Sequence, residues 1–236
     1  VQKKNSFQFK NFSITQENTA MKVGTDGVLL GAWSKAKEGN VLDIGTGTGL
    51  IALMLAQRTK TALIDTIEID EAASKEAQKN FNNSAWKARL TSINSSLQNY
   101  QPQKKYDLII SNPPFFIDAT KAPDFNRNNA RHTDTLSFEE LIKAAKLLLT
   151  DDGILSLILP TNEANLFIEL THNSTLFLKR KCLVKPNPNK AAKRILMEFS
   201  FSKTEIIEDE LTIETETRHQ YTNEYKTLTK DFYLKF

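Results

Sequence analysis

The stretch from Tyr106 to Phe116, Tyr-Asp-Leu-Ile-Ile-Ser-Asn-Pro-Pro-Phe-Phe, constrains this chain more than any other. Tyr106 to Ser111 is nearly continuous in apolar and β-branched residues, as in a strand buried on both faces. Two prolines follow at once. They forbid both ladder pairing and helix, and each holds the residue before it extended. The strand must therefore stop at Asn112. In open α/β sheets ligands bind in the crevice outside the carboxyl ends of the strands. There the Asn112 side chain offers a carbonyl acceptor, and the Pro113 carbonyl lacks a neighbouring N–H because Pro114 has none. Two such acceptors suit a planar NH2 group, and Phe115 can stack on the ring that carries it, a contact of about 1–3 kcal/mol per base. Taken alone, Asn-Pro-Pro is more often a turn beside a core phenylalanine.

A second motif upstream decides against that bland reading. Val41-Leu-Asp-Ile-Gly-Thr-Gly-Thr-Gly-Leu50 runs from a buried strand through glycines into a helical pattern over Leu50 to Arg58. Glycines let a backbone approach a nucleotide-type ligand closely, and the helix N-terminus faces the site. The spacing Gly45-x-Gly47-x-Gly49, with Asp43 before it, differs from the Gly-x-Gly-x-x-Gly of a nicotinamide site. The next strand, Ala62 to Ile69, ends in Glu68 and Asp70, and a carboxylate there can accept both hydroxyls of a ribose. Both compete for that role, and Asp70 is also placed to cap a helix over Glu71 to Asn82.

Around this centre the chain alternates strands and helices. Phe7 to Ile14 reads as a short strand or hairpin arm. Thr25 or Asp26 is placed to cap a helix whose apolar face holds Val28, Leu29, Ala32 and Trp33. Leu90 to Ile93 is a third core strand. Ile117 to Thr135 is a long polar loop, the kind that is usually functional or disordered. Ser137-x-x-Glu140 is a capping box for a helix to Leu149, Asp151-Asp-Gly153 a turn, and Ile154 to Leu159 a strand, with a helix from Thr161. From Lys179 to Arg194 there are seven basic residues and no acidic one. Pro186 to Lys190 marks the tip of a hairpin whose second strand is Arg194 to Phe201. Such a run is either a solvated tip or an edge that contacts phosphates. Glu205 to Glu216 is acidic, and the tail to Leu234 has a weak helical pattern whose Phe232 and Tyr233 are expected to dock.

Asn112-Pro-Pro-Phe115 resembles the (Asn/Asp/Ser)-Pro-Pro-(Tyr/Phe/Trp) motif of S-adenosylmethionine-dependent methyltransferases acting on planar amino nitrogens, and the glycine turn resembles motif I of their class I. Together with Phe9-Lys-x-Phe12-x-Ile-x-Gln16, Met21-Lys-Val-Gly-Thr-Asp-Gly and Glu68, the whole chain from Phe7 resembles the family of tRNA adenine-N6 methyltransferases that modify adenine 37 of the valine-accepting tRNA. The resemblance implies an α/β, Rossmann-like fold with a doubly wound, mostly parallel seven-stranded sheet. It implies one domain over residues 1–236, with an N-terminal extension (1–39) and a C-terminal tail (205–236). It assigns the cofactor S-adenosyl-L-methionine to Thr25, Asp26, Asp43, Gly45, Thr46, Gly47, Gly49, Glu68, Ile69 and Asn112. Relatives often place an aspartate where Ser96 stands here, so Ser96 or Ser95 is left to meet the cofactor's adenine. Catalysis falls to Asn112, Pro113, Pro114 and Phe115. The tRNA falls to Phe115, Phe116, Arg127, Arg131, Lys190, Lys193 and Arg194.

Composition adds exclusions. The single cysteine, Cys182, rules out an internal disulfide and any cysteine-built metal site. His132, His172 and His219 are too scattered for zinc ligands, so no metal is expected. No apolar run approaches the ~20 residues of a membrane span, and the opening residues lack a signal-peptide core. A cytoplasmic, monomeric enzyme is the expectation, and the net charge of +3 permits nucleic acid without demanding it. Rival readings are a release-factor glutamine methyltransferase, an rRNA guanine-N2 methyltransferase, a DNA adenine methyltransferase and an inactive tRNA-binding module. The first normally carries a separate N-terminal helical domain, and only 40 residues precede Val41. A DNA enzyme would need a target-recognition segment, and the intact Asn112 and glycines argue against an inactive module.

Overall fold

The structure, a computed structural model, describes residues 5–19, 21–113 and 136–235. A hairpin of β1 (Ser6–Gln8) and β2 (Ser13–Thr15) precedes α1 (Thr25–Trp33). Then β3 (Asn40–Ile44), α2 (Leu50–Arg58), β4 (Leu63–Glu68), α3 (Glu71–Asn82), β5 (Leu90–Asn94) and β6 (Tyr106–Ser111) alternate as the apolar periodicity demands. They are followed by α4 (Phe138–Leu148), β7 (Leu149–Pro160), α5 (Thr161–Thr171), β8 (Phe177–Lys185), β9 (Arg194–Ser200), β10 (Ile207–Thr212) and α6 (Asn223–Thr229).

The main sheet runs β10-β8-β9-β7-β6-β3-β4-β5, and only β9 is antiparallel to its neighbours. Its mostly parallel, doubly wound plan matches the expectation, with eight strands among the described residues where seven were expected. The extra strand is β10, drawn from the acidic stretch assigned to the tail. Its acids find the basic run: Glu208 pairs with Lys181 Nζ at 3.0 Å and Glu210 with Lys185 Nζ at 2.7 Å. Strand order reverses between β3 and β6, so the crevice opens where the glycine turn and Asn112 leave the sheet.

Helices cover both faces. α1 and α2 bury nearly every residue from Gly27 to Ala32 and from Leu50 to Ala56. Alternate side chains of β6 divide between the layers, Leu108 and Ile110 joining α1 and α2, and Ile109 joining Leu141, Ala145 and Phe167 of α4 and α5. The Ser137–Glu140 capping box is present in full. Asp151 to Gly153, expected as a turn, instead bulges within a longer β7: Tyr106 pairs with Leu149 but Leu108 with Ile154. The C-terminal aromatics do dock, with Phe232 buried and the Tyr233 ring stacked on Phe9 at 5.8 Å between centroids.

α3 also carries an arrangement that spans distant sequence. The buried carboxylate of Glu76 accepts hydrogen bonds from the backbone N–H groups of Glu17 (2.6 Å), Asn18 (3.2 Å) and Thr19 (3.1 Å). One turn on, the Asn80 side chain accepts from Thr15 N–H and donates to the carbonyls of Thr15 and Thr48, each at 2.9 Å. The N-terminal segment is thus tied to the glycine turn through one helix face. Removing the acceptor strands three N–H groups, and bonds to a charged group contribute about 1.5–3 kcal/mol each. Glu76→Ala is expected to destabilise the fold by about 3 kcal/mol in urea titration, with Glu76→Gln recovering much of the loss.

Candidate functional site

The glycine turn is built from the end of β3. Ile44 lies beside Ser111 in the parallel ladder, and the Ser111 hydroxyl donates to the Ile44 carbonyl at 2.8 Å. Gly45 and Gly47 take positive φ values of 71° and 55°, and a Cβ on either would meet nothing within 4 Å, so the turn faces open space. Gly49 is required for another reason. At φ 81° its α-carbon abuts the Phe81 ring, where any side chain would collide.

That open space is a cavity of about 580 Å3, within the range of small-molecule sites. Of the residues singled out from sequence, Thr25, Asp26, Gly45, Thr46, Gly47, Glu68, Ile69, Ser95, Ser96, Asn112 and Pro113 line it. Asp43 and Gly49 do not. Asp43 is fully buried, with one carboxylate oxygen taking the Thr46 hydroxyl at 2.6 Å. Pro114, Phe115, Phe116, Arg127 and Arg131 lie outside the described residues. Sequence reasoning missed Thr19, Leu97 and Gln98 in the wall, and in the segment from Met21 it singled out Thr25 and Asp26 where Met21, Lys22 and Val23 line the cavity too. Thr19 and Val23 are held there by side chains, Glu76 for the first and Gln16, whose Oε1 accepts from Val23 N–H at 2.9 Å, for the second.

The polar groups of the cavity define what it can hold. The N–H groups of Gly45 and Thr46 donate to the Ile67 carbonyl, that of Gly49 to Thr46, and that of Gly47 to Glu68 Oε2 at 2.9 Å. With these amides consumed, the turn is no cradle for phosphate oxygens. Among the described residues of the wall, Asp26, Glu68 and Asp70 outnumber the cation Lys22, although Asp26 is paired with Arg194 from outside it. Asp70 is committed to capping α3, accepting from Ala73 N–H at 2.7 Å. Glu68 keeps lone pairs for a ligand beyond its bonds to Gly47 and Asp70. Among the described residues Asn112 Oδ1 is buried without a hydrogen-bond partner, an uncommon state for a polar atom. A cationic, hydroxyl-bearing, nucleoside-sized molecule suits this lining, and a donor is needed at Asn112.

Two expectations change here. α1 is capped by Gly24 with no side-chain bond, not by Thr25 or Asp26. Asp26 is instead taken by Arg194, whose Nε donates to Asp26 Oδ2 at 2.8 Å. The basic hairpin is therefore partly neutralised in space: Arg194 by Asp26, Lys181 and Lys185 by β10, and Arg180 by Glu198 at 3.8 Å while its guanidinium lies 3.6 Å over Trp33. Lys190 and Lys193 remain exposed. Among the described residues no group of three or more His, Cys, Asp or Glu is placed to hold a metal ion, and no helix is long and apolar enough to cross a membrane.

Comparisons with known proteins give the family and the fold. The methyltransferase small domain family matches residues 18–170. A tRNA1(Val) (adenine(37)-N6)-methyltransferase of Flavobacterium psychrophilum is 49% identical over 97% of this chain and 99% of its own length. One from Trichodesmium erythraeum is 50% identical over 98% and 99%. Among solved structures, a protein described as a predicted O-methyltransferase from Agrobacterium tumefaciens superposes with a TM-score of 0.67 at 18% identity, covering 88% of this chain and 96% of that one. A glycopeptide N-methyltransferase in complex with S-adenosyl-L-methionine gives 0.56 at 10% identity, covering 77% and 90%. Both share the fold.

Burial, with the Glu68 charge adding to it, pushes the Asp43 carboxyl up to about 7 against the opposing Thr46 hydrogen bond. The unfolded chain ionises this group near 3.8 and the folded one near 7, so it lowers stability progressively as pH rises between those values and uniformly above them. Asp43→Asn removes the penalty. Without ligand, the variant's stability relative to the parent is expected to rise by about 2–4 kcal/mol between pH 4 and pH 7 and then level off. Denaturant titrations across that range check it, and a difference independent of pH would contradict the buried charge.

Proposed function

The chain belongs to the family of tRNA1(Val) (adenine(37)-N6)-methyltransferases, and from that premise we propose that it transfers the methyl group of S-adenosyl-L-methionine to N6 of adenine 37 in the valine tRNA. The observation that carries the chemistry is Asn112 Oδ1 at the end of β6, buried and without a partner among the described residues. The cofactor fits the cavity on the chain's own features: open space over Gly45 and Gly47, Glu68 placed for ribose hydroxyls, and an acidic wall suited to a cation. When bound, it supplies an activated methyl group.

What the protein adds is positioning and the tuning of a poor nucleophile. The lone pair of an adenine amine is delocalised into the ring. Accepting its two protons at Asn112 Oδ1 and the Pro113 carbonyl localises that pair and stabilises the positive charge that develops on nitrogen. No general base is needed before transfer. Entry of the base requires that it leave its stack, and Phe115 and Phe116 are proposed to receive it. Ser95 and Ser96 are proposed to meet the cofactor's adenine, and Arg127, Arg131, Lys190 and Lys193 to meet RNA phosphates. A tRNA substrate assigns the enzyme to the cytoplasm. We further propose that it works as a monomer and without a metal.

Asn112→Ala is expected to reduce single-turnover methylation by at least about 10²-fold while cofactor affinity stays within about threefold. A rate within tenfold of the parent would defeat the assignment. Glu68→Ala is expected to show the converse by calorimetry, losing about 1.5–3 kcal/mol of cofactor binding with little change in the saturated rate. Asp70→Ala should chiefly cost about 1 kcal/mol of stability, as an N-cap does.

A further inference from the structure

A buried side-chain atom without a hydrogen-bond partner is uncommon, because it has given up its bond to water and gained none in return. Among the described residues, two such atoms belong to the wall of the cavity at the glycine turn, Asn112 Oδ1 and Thr19 Oγ1. The functional reading gives the first to the substrate amine. It leaves the second without a task, although Thr19 is only 7% exposed and its hydroxyl can both donate and accept.

The backbone that carries Thr19 is tied at every step. The Thr15 N–H donates to Asn80 Oδ1, that of Gln16 to the Asn5 carbonyl at 2.8 Å, and those of Glu17, Asn18 and Thr19 to the Glu76 carboxylate. Asn80 also donates to the carbonyl of Thr48, another residue of the cavity wall. Glu76 and Asn80 are four residues apart on α3, Ala73 stands three before Glu76, and Ala73 lines the cavity together with the N-cap Asp70. Residues at this spacing share a helix face. One face of α3 thus closes the cavity and sets the segment from Thr15 to Thr19. A hydroxyl on a loose loop turns to solvent at little cost, whereas one held in place and left unpaired favours a ligand that supplies the missing partner.

We propose that Thr19 is a binding residue for S-adenosyl-L-methionine, its hydroxyl bonding a polar group of the cofactor, and that Glu76 is the positioning residue that holds it for that contact. The proposal rests on the functional reading above and deepens it. Glu76 uses both carboxylate oxygens: Oε1 accepts from Glu17 at 2.6 Å, Oε2 from Thr19 at 3.1 Å, and each from Asn18 at 3.2 Å. A glutamine in its place keeps its oxygen for the short bond to Glu17 and turns its NH2 group onto the Thr19 N–H, donor against donor. Glu76→Gln therefore loosens Thr19 while the rest of the segment stays tied.

The test uses the full chain, with affinity for S-adenosylhomocysteine, which carries every hydrogen-bonding group of the cofactor, measured by calorimetry and stability without ligand by urea titration. Thr19→Val, which keeps the shape and removes the hydroxyl, is expected to weaken binding about tenfold while stability stays at the parent's value or rises. Thr19→Ser, which keeps a hydroxyl, is expected to bind within about threefold of the parent. Glu76→Gln is expected to weaken binding about fivefold, and the double variant with Thr19→Val to stay within about twofold of Thr19→Val alone, because the first acts through the second. Parental affinity in Thr19→Val would overturn the binding role, and additive losses in the double variant would overturn the positioning role. Either result leaves the functional reading standing. A fall in the stability of Thr19→Val would make the hydroxyl a structural group and overturn the proposal too. Failure of the parent protein to bind either S-adenosylmethionine or S-adenosylhomocysteine would strike the functional reading itself, and the proposal with it.

Discussion

The pairing of β3 with β6 is the contact on which the site depends. Two parallel strands distant in sequence lie side by side only because strand order reverses there, β4 and β5 continuing one way and β7 the other. The reversal splays the following connections apart and leaves a crevice at the carboxyl ends. Ile44 beside Ser111 fixes the register, and the buried hydroxyl of Ser111 on the Ile44 carbonyl pins it at the last residue before each strand gives way. A slip of one residue would send Asn112 and the glycine turn to opposite faces. The double proline reinforces the stop, since β6 cannot run further and carry Asn112 into the ladder.

Electrostatics then separate this crevice from a dinucleotide site of similar outline. A glycine turn with free amides and a helix N-terminus attracts anions. Here the same geometry has been turned to another purpose by one carboxylate. Glu68 reaches back to Gly47 N–H, while Ile67 and Thr46 carbonyls occupy the others, so no donors point at the ligand from Gly45, Thr46, Gly47 or Gly49. Negative side chains face the cavity in their place. Asp43, shut away behind the turn, holds Thr46 and so shapes the backbone that Glu68 grips.

How much of this could be read from the chain follows from sequence separation. The β3 turn, Glu68 and Asn112 are legible because each requirement is local: a glycine where φ is positive, an acid at a strand end, a proline where the ladder must stop. The long-range partners are not. Glu76 acts on backbone groups 57 to 59 residues away, and Arg194 finds Asp26 across 168. Nothing near Glu76 marks it as anything but a helix-surface glutamate. The basic run read as acid-free in one dimension because its counter-charges arrive on β10, a strand whose parallel docking on β8 has no local signature.

β10 has one more effect. It is the last strand of its side of the sheet, and its outer backbone edge is a template onto which another chain's strand would add. Ile206 and Ile207 are about half exposed beside it, which on a neutral strand would invite edge-to-edge growth. Glu208, Asp209 and Glu210 follow immediately. Two such edges meeting would bring rows of carboxylates together, and Lys181 and Lys185 neutralise them only from within the same molecule. The acidic strand that balances the basic hairpin thereby also puts charge along an edge that a neutral strand would offer to a neighbour.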